Sequence, residues 1–150
     1  MPVTPDDLLQ YAKSLLSANN EAALRAAISR AYYACFHVFS SFAICHRHEL
    51  PRFSYKSGRD TRSIEPYENP EFKAGVIHHG WIRPLLEKST DRHTKEVGRK
   101  FHSIYTYRRQ ADYMLQSPIS SSEAKTYLDE IEDVYKSLRT ININSWPRNI

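Results

Sequence analysis

Apolar residues recur along most of this chain at three- and four-residue spacings, as expected of helices that bury one face. Within a long segment from Glu21 to about Cys45, this spacing links Ala27, Ala31, Cys35, Val38, Phe42 and Cys45. Within a second segment from about Asp91 to Leu115, it links Val97, Phe101, Ile104, Arg108, Ala111 and Leu115. Within a third segment, from about Ser120 to Ile141, it links Ala124, Tyr127, Ile131, Val134, Tyr135 and Leu138.

Capping residues indicate where the helices begin. Thr4 precedes a proline and two aspartates and predicts a first helix that ends near Ala18. Asn20 can cap the second helix at Glu21. Together with the apolar spacing, these positions predict an all-α antiparallel bundle of about five helices, built as one domain over residues 1–150.

The middle and the end of the chain follow no clear period. Residues 46–70 are polar, basic and interrupted by prolines, which predicts a long basic loop. Asn69 can cap a short helix over Pro70 to Ile77, and Pro84 indicates a break or a new helix start. Residues 142–150 are predicted to form an irregular tail.

Composition agrees with an ordinary globular domain, since 41% of the 150 residues are hydrophobic and 25% are charged. Cys35 and Cys45 would lie about 15 Å apart along one helix, which is too far for a disulfide and suits the reducing cytosol. The first residues lack the features of a signal peptide, and no stretch is apolar enough to span a bilayer. We therefore expect a cytoplasmic protein with no membrane association.

Positive charge is concentrated in two segments, although the net charge is only +4. The loop carries Arg52, Lys56 and Arg59, while the start of the Asp91 helix carries further cations and the last helix is acidic. A positive surface of this kind can bind phosphates, and it can equally be a set of solvated helix faces. No zinc-ligand spacing and no glycine-rich phosphate loop occur, so no metal or other cofactor is expected.

Two segments, in this order, carry a resemblance to a known family. Residues 29–34 read SRAYYA and are followed by Phe36 and His37, and residues 108–113 read RRQADY. This pair resembles the two signatures of the HEPN family. The resemblance implies a four-helix core, a homodimer, and membership of a toxin–antitoxin or defence module.

Two functions follow from that resemblance. Many HEPN proteins are metal-independent endoribonucleases, in which an arginine steadies the RNA phosphate and a histidine activates the 2′-hydroxyl. Others are catalytically inactive bundles that partner a small nucleotidyltransferase. Here the resemblance assigns Arg108 to phosphate contact with Arg109 in support, but Asp112 stands near the position expected for the histidine, and no histidine follows up to Leu115. Whether the protein is an enzyme is therefore left open.

Each candidate residue also has a purely structural interpretation. Arg108 interrupts an apolar stripe and needs a partner, which Asp112 at i+4 can supply, so the pair can brace two helices or line a phosphate site. Tyr113 can pack at the helix end, or it can accept a nucleotidyl group as in related two-protein systems. Arg30 and His37 share one face of the second helix and can either line an RNA groove or flank a packed aromatic seam.

Overall fold

The computed structural model describes residues 2–51, 53–54, 63–64 and 77–147. Five α-helices lie in these ranges: α1 (Pro5–Leu15), α2 (Glu21–Cys45), α3 (His79–Glu87), α4 (Arg92–Tyr113) and α5 (Ser121–Leu138). A two-residue antiparallel strand pair, β1 (Phe53–Ser54) and β2 (Ser63–Ile64), occurs within the predicted loop. The all-α prediction is confirmed.

Four helices form an antiparallel bundle. Near the start of α2, Arg25 bonds carbonyls at the end of α4, and Lys13 near the end of α1 bonds Glu132 of α5. Cys35 of α2 donates to the carbonyl of Ile131 in α5. Helices α1 and α4 therefore run against both α2 and α5, while α2 and α5 run parallel.

The helix starts follow the predicted caps. Thr4 and Asp7 form a reciprocal capping box, and Asn20, Asp91 and Ser120 each accept a hydrogen bond from a backbone N–H of the first turn. The predicted ends were less accurate: α1 ends at Leu15, α4 at Tyr113 and α5 at Leu138.

Helix α2 lies at the centre of the bundle and is buried on more than the one predicted stripe. Leu24, Ile28, Tyr32 and Phe39 are buried beside the predicted Ala27, Ala31 and Cys35. Because α1, α4 and α5 all contact α2, a single apolar face was too narrow a prediction. Two predicted stripe residues are exposed, Cys45 at the end of α2 and Leu115 beyond the end of α4.

Helix α3 corrects the expectation at Pro84, which lies inside the helix. Proline lacks an N–H, so the cost here is one missing hydrogen bond to the carbonyl of Gly80. Buried Trp81, Ile82, Leu85 and Leu86 hold α3 against its neighbours. Of the predicted Pro70–Ile77 helix, only Ile77 lies within the described residues, and it is not helical.

The predicted irregular tail is anchored to the bundle. Ile143–Ser145 form a short 3-10 turn, and Trp146 is 3% exposed, with its indole N–H donating to the carbonyl of Leu85 at 2.7 Å. The Ser89 hydroxyl donates to the carbonyl of Ser145. The tail therefore covers α3 rather than extending into solvent.

Candidate functional site

Arg108 is buried in the contact between α2 and α4, with 5% of its surface exposed. Its guanidinium carbon lies 5.2–5.8 Å from the ring centres of four tyrosines, Tyr32, Tyr33, Tyr105 and Tyr113. At this range, the negative faces of the rings stabilise a cation. The four rings thus hold the charge of Arg108 inside the bundle.

Asp112 pairs with Arg108, as the i,i+4 spacing predicted. The Nη1 atom of Arg108 lies 3.5 Å from the Oδ2 atom of Asp112, which is a long contact, and the same oxygen accepts from the Ser29 hydroxyl of α2 at 3.3 Å. The Nε–H of Arg108 is buried and has no hydrogen-bond partner among the described residues. A buried guanidinium donor without an acceptor is rare, because it costs the free energy of its lost hydration. The arginine therefore has hydrogen-bonding capacity that this arrangement leaves unused.

His79 brings an imidazole to the same tyrosines. The Tyr32 hydroxyl lies 2.7 Å from the Nδ1 atom of His79, and the imidazole stacks on Phe36 at 4.2 Å between ring centres. Burial, followed by the positive charge of Arg108, lowers the pKa of His79 to about 4. At pH 7 the ring is therefore neutral, and the hydrogen bond to Tyr32 occupies Nδ1 but not Nε2.

The start of α3 fixes the position of His79. His78 is the N-cap, and its Nδ1 atom accepts a hydrogen bond from the N–H of Gly80 at 3.0 Å. His79 is thus the first helical residue and faces the tyrosines of α2 and α4. Sequence reasoning set the two histidines aside because neighbours on a helix diverge, and no local signal indicates that α3 crosses α4 at this point.

Residues Tyr32, Tyr33, His79, Tyr105, Arg108, Asp112 and Tyr113 are called the Arg108 cluster below. They come from α2, α3 and α4, so the site exists only in the folded bundle. A neutral imidazole and a fixed cation are the two groups that general-base catalysis on a phosphodiester needs. The sequence predicted the cation and did not predict the imidazole.

A second buried arginine, Arg25, positions the end of α4. Its Nη1 donates to the carbonyls of Gln110, Ala111 and Met114, at 3.0, 3.1 and 3.3 Å, and its Nη2 donates to the carbonyl of Ser117. These are carbonyls that a helix end leaves without partners.

The carboxylate of Glu21 pairs with Arg25 at 2.7 Å and accepts from the N–H of Ile119. Sequence reasoning missed Arg25, although a lone cation within an apolar run, four residues after a glutamate, was a readable signal. Because it fixes the turn after Tyr113, Arg25 supports the cluster without touching it.

The other predicted residues lie outside the cluster. Arg30 and His37 are exposed on α2, where the His37 ring lies 5.3 Å from Phe36 and partial burial lowers its pKa. Arg109 is exposed on α4, with its guanidinium carbon 6.0 Å from the Tyr105 ring. The predicted loop residues Arg52, Lys56 and Arg59 lie outside the described residues.

Two searches of the described residues bear on the ligand class. They contain no group of three histidine, cysteine, aspartate or glutamate side chains that could hold a metal ion. No helix among them has the length and apolar character needed to cross a bilayer.

Comparisons with protein-family models, with curated proteins and with solved structures find no match to this chain. The argument about function therefore rests on the residues of the cluster and on the signatures in the sequence.

Proposed function

We propose that this protein is a HEPN-like bundle of a toxin–antitoxin or defence module, that it acts in the cytoplasm, and that it cleaves RNA without a metal ion. The observation that supports the proposal is the shared environment of Arg108 and His79. The Tyr32 ring centre lies 5.3 Å from the guanidinium carbon of Arg108 and 5.6 Å from the ring centre of His79. The cluster thus supplies a histidine that the α4 signature lacks.

The cluster supports a transesterification in which the RNA supplies its own nucleophile. The Nε2 atom of His79 accepts the proton of a ribose 2′-hydroxyl, and the 2′-oxygen attacks the adjacent phosphorus. The bond to the 5′-oxygen breaks, and that oxygen takes a proton from water. The Arg108 guanidinium stabilises the charge that develops on the phosphoryl oxygens. The products are a 2′,3′-cyclic phosphate and a 5′-hydroxyl.

Asp112 has a positioning role in this account, because it holds Arg108 and bonds Ser29 rather than facing a reacting group. The account also predicts the pH profile. A base with a pKa of about 4 stays unprotonated above about pH 5, so the cleavage rate should not fall on acidification through 6.5. An acid limb centred near 6.5 would indicate a different, solvent-exposed histidine.

The test is cleavage of a mixed cellular RNA pool by purified protein in the presence of a chelator. We expect products with 2′,3′-cyclic phosphate ends from the wild type, and loss of cleavage in Arg108→Ala and in Arg108→Lys proteins that circular dichroism shows to be folded. Arg139→Ala is the matched control, since Arg139 also lies over a tyrosine, Tyr135, but outside the cluster. Cleavage that persists without Arg108, or that the chelator abolishes, would overturn the proposal.

The alternative function, an inactive bundle that partners a small nucleotidyltransferase, is favoured by one specific observation. Tyr113, Met114 and Leu115 are consecutive at the end of α4 and are 68%, 53% and 70% exposed. An exposed apolar patch indicates a protein-binding surface. The same patch is our candidate contact for a homodimer, and sedimentation of a Met114→Asp, Leu115→Asp variant tests it, since a dimer should become a monomer.

Transfer of a nucleotidyl group to Tyr113 belongs to that alternative. The Tyr113 ring is exposed, so its hydroxyl is accessible to a partner enzyme, and the ring also lies 5.6 Å from the guanidinium carbon of Arg108. An intact-mass measurement after incubation with the partner and a nucleoside triphosphate, with Tyr113→Phe as control, would reveal the modification. Its presence, together with no RNA cleavage, would favour the alternative.

A further inference from the structure

A row of exposed basic and aromatic side chains follows the outer face of α4. The row, called the α4 ridge below, consists of Arg92, Lys95, Arg99, His102, Arg109 and Tyr113, all of them exposed. At 100° per residue these positions fall within about 100° of the helix circumference, and Arg92 and Arg109 are separated by about 25 Å along the axis. The ridge is therefore a straight, one-sided surface.

The charge on this surface has one sign. The structure describes every residue of α4, and within that helix the acidic residues are Glu96 and Asp112. Glu96 pairs with Arg92 at 3.7 Å, and Asp112 pairs with the buried Arg108. Ion pairs to Lys95, Arg99 and Arg109 are absent among the described residues, so these three charges remain open to a partner.

The ridge ends at the Arg108 cluster. Tyr113 is its last member and is also one of the four rings around the Arg108 guanidinium. A polyanion that follows the cations from Arg92 to Arg109 is thereby led to the buried arginine. An exposed aromatic ring at the end of a cationic track is the arrangement that binds single strands, because unpaired bases stack on such rings.

We propose that the α4 ridge binds the backbone of single-stranded RNA and directs it to the Arg108 cluster, with a base stacked on Tyr113. This inference rests on the proposed function, because it names the surface through which the same site receives its substrate. It differs from the sequence prediction, which placed RNA contacts on Arg30, His37 and the 46–70 loop.

The test measures the affinity for a fluorescent single-stranded RNA of random sequence at 50 and 200 mM salt. The chosen variant is Lys95→Gln with Arg99→Gln, and its matched control is Lys125→Gln with Lys136→Gln on α5, which removes the same charge from exposed positions elsewhere. Each lost contact lowers the salt exponent by about 0.7, so the salt-induced loss of affinity should become about 7-fold smaller in the ridge variant. The control should behave like the wild type.

A second variant tests the aromatic end of the ridge. Tyr113→Ala should weaken RNA binding about 5- to 100-fold, while Tyr113→Phe keeps the stacking surface and should bind like the wild type.

Cleavage is measured separately in every variant, so the two proposals can fail independently. RNA that binds with the same affinity and salt dependence in the ridge variant and in the wild type overturns the ridge and leaves the function standing. Ridge-dependent binding by a wild type that never cleaves supports the ridge and removes the ribonuclease. A wild type that binds no RNA overturns both.

Discussion

The hydrogen bond between Tyr32 and His79 makes the stability of the bundle depend on pH in a defined direction. The pKa of His79 is lowered by burial to about 4 in the folded state, whereas an exposed histidine in the unfolded chain titrates near 6.5. Between these values the unfolded chain binds more protons than the folded protein. Stability is therefore fully present above pH 6.5 and is lost as the pH falls from 6.5 towards 4.

The size of the loss follows from the two pKa values. From pH 7 to pH 5, a histidine with these values contributes a decrease in the free energy of unfolding of about 2 kcal/mol. Because the His79 side chain is only partly buried, solvent screening reduces the expected value to about 1.5 kcal/mol. Most carboxylates titrate below this window, and His37 contributes in the same direction because burial lowers its pKa as well.

The variant His79→Asn isolates this contribution. The asparagine side chain places an amide oxygen close to the position of Nδ1, so Tyr32 keeps an acceptor while the titration disappears. Urea unfolding at pH 5, 6 and 7 should show a pH dependence smaller than that of the wild type by about 1.5 kcal/mol. His78→Asn is the matched control, because this neighbouring histidine is an exposed N-cap that asparagine can replace. A His79→Asn protein with the pH dependence of the wild type would refute the burial argument.

Three further predictions concern the framework around the site. Arg25→Ala should lower the free energy of unfolding by about 3 kcal/mol in urea titration, since the last carbonyls of α4 lose their donor, and an unchanged midpoint would contradict this role. Gly98→Ala should destabilise by about 1 kcal/mol instead of giving the usual gain of a glycine replaced within a helix, because a Cβ there would lie 3.0 Å from the Cβ of Leu86; a raised melting temperature would refute this. Trp146→Ala should cost about 3 kcal/mol in the same titration because the buried indole covers α3, and a loss below 1 kcal/mol would show that the tail is dispensable.

Most of the bundle was predictable because its information is local. Asn20 and Asp91 each offer a side-chain acceptor directly before an apolar-periodic segment, and α2 and α4 begin where these caps place them. Helix ends depend more on tertiary contacts, and α4 ends at Tyr113 where Arg25 of another helix takes up its carbonyls. That contact spans 86 positions of the chain, so no local pattern contains it.

The candidate site was predictable only in part, for the same reason. Arg108 and Asp112 lie on one helix at a spacing that sequence alone pairs correctly. His79 enters the cluster from α3, which forms despite Pro84 because its four buried apolar residues outweigh one missing hydrogen bond. The sequence showed that α4 lacks the expected histidine, and it had no means of showing that another helix brings one to the same tyrosines.

The central claim, metal-independent transesterification at the Arg108 cluster, is tested most directly by one comparison. A random-sequence RNA and its fully 2′-O-methylated counterpart are incubated with the protein in chelator, and the products are separated by length. The account predicts cleavage of the RNA and none of the methylated strand, because the 2′-oxygen is the nucleophile. Equal cleavage of both strands, or no cleavage of either by folded protein, would contradict it.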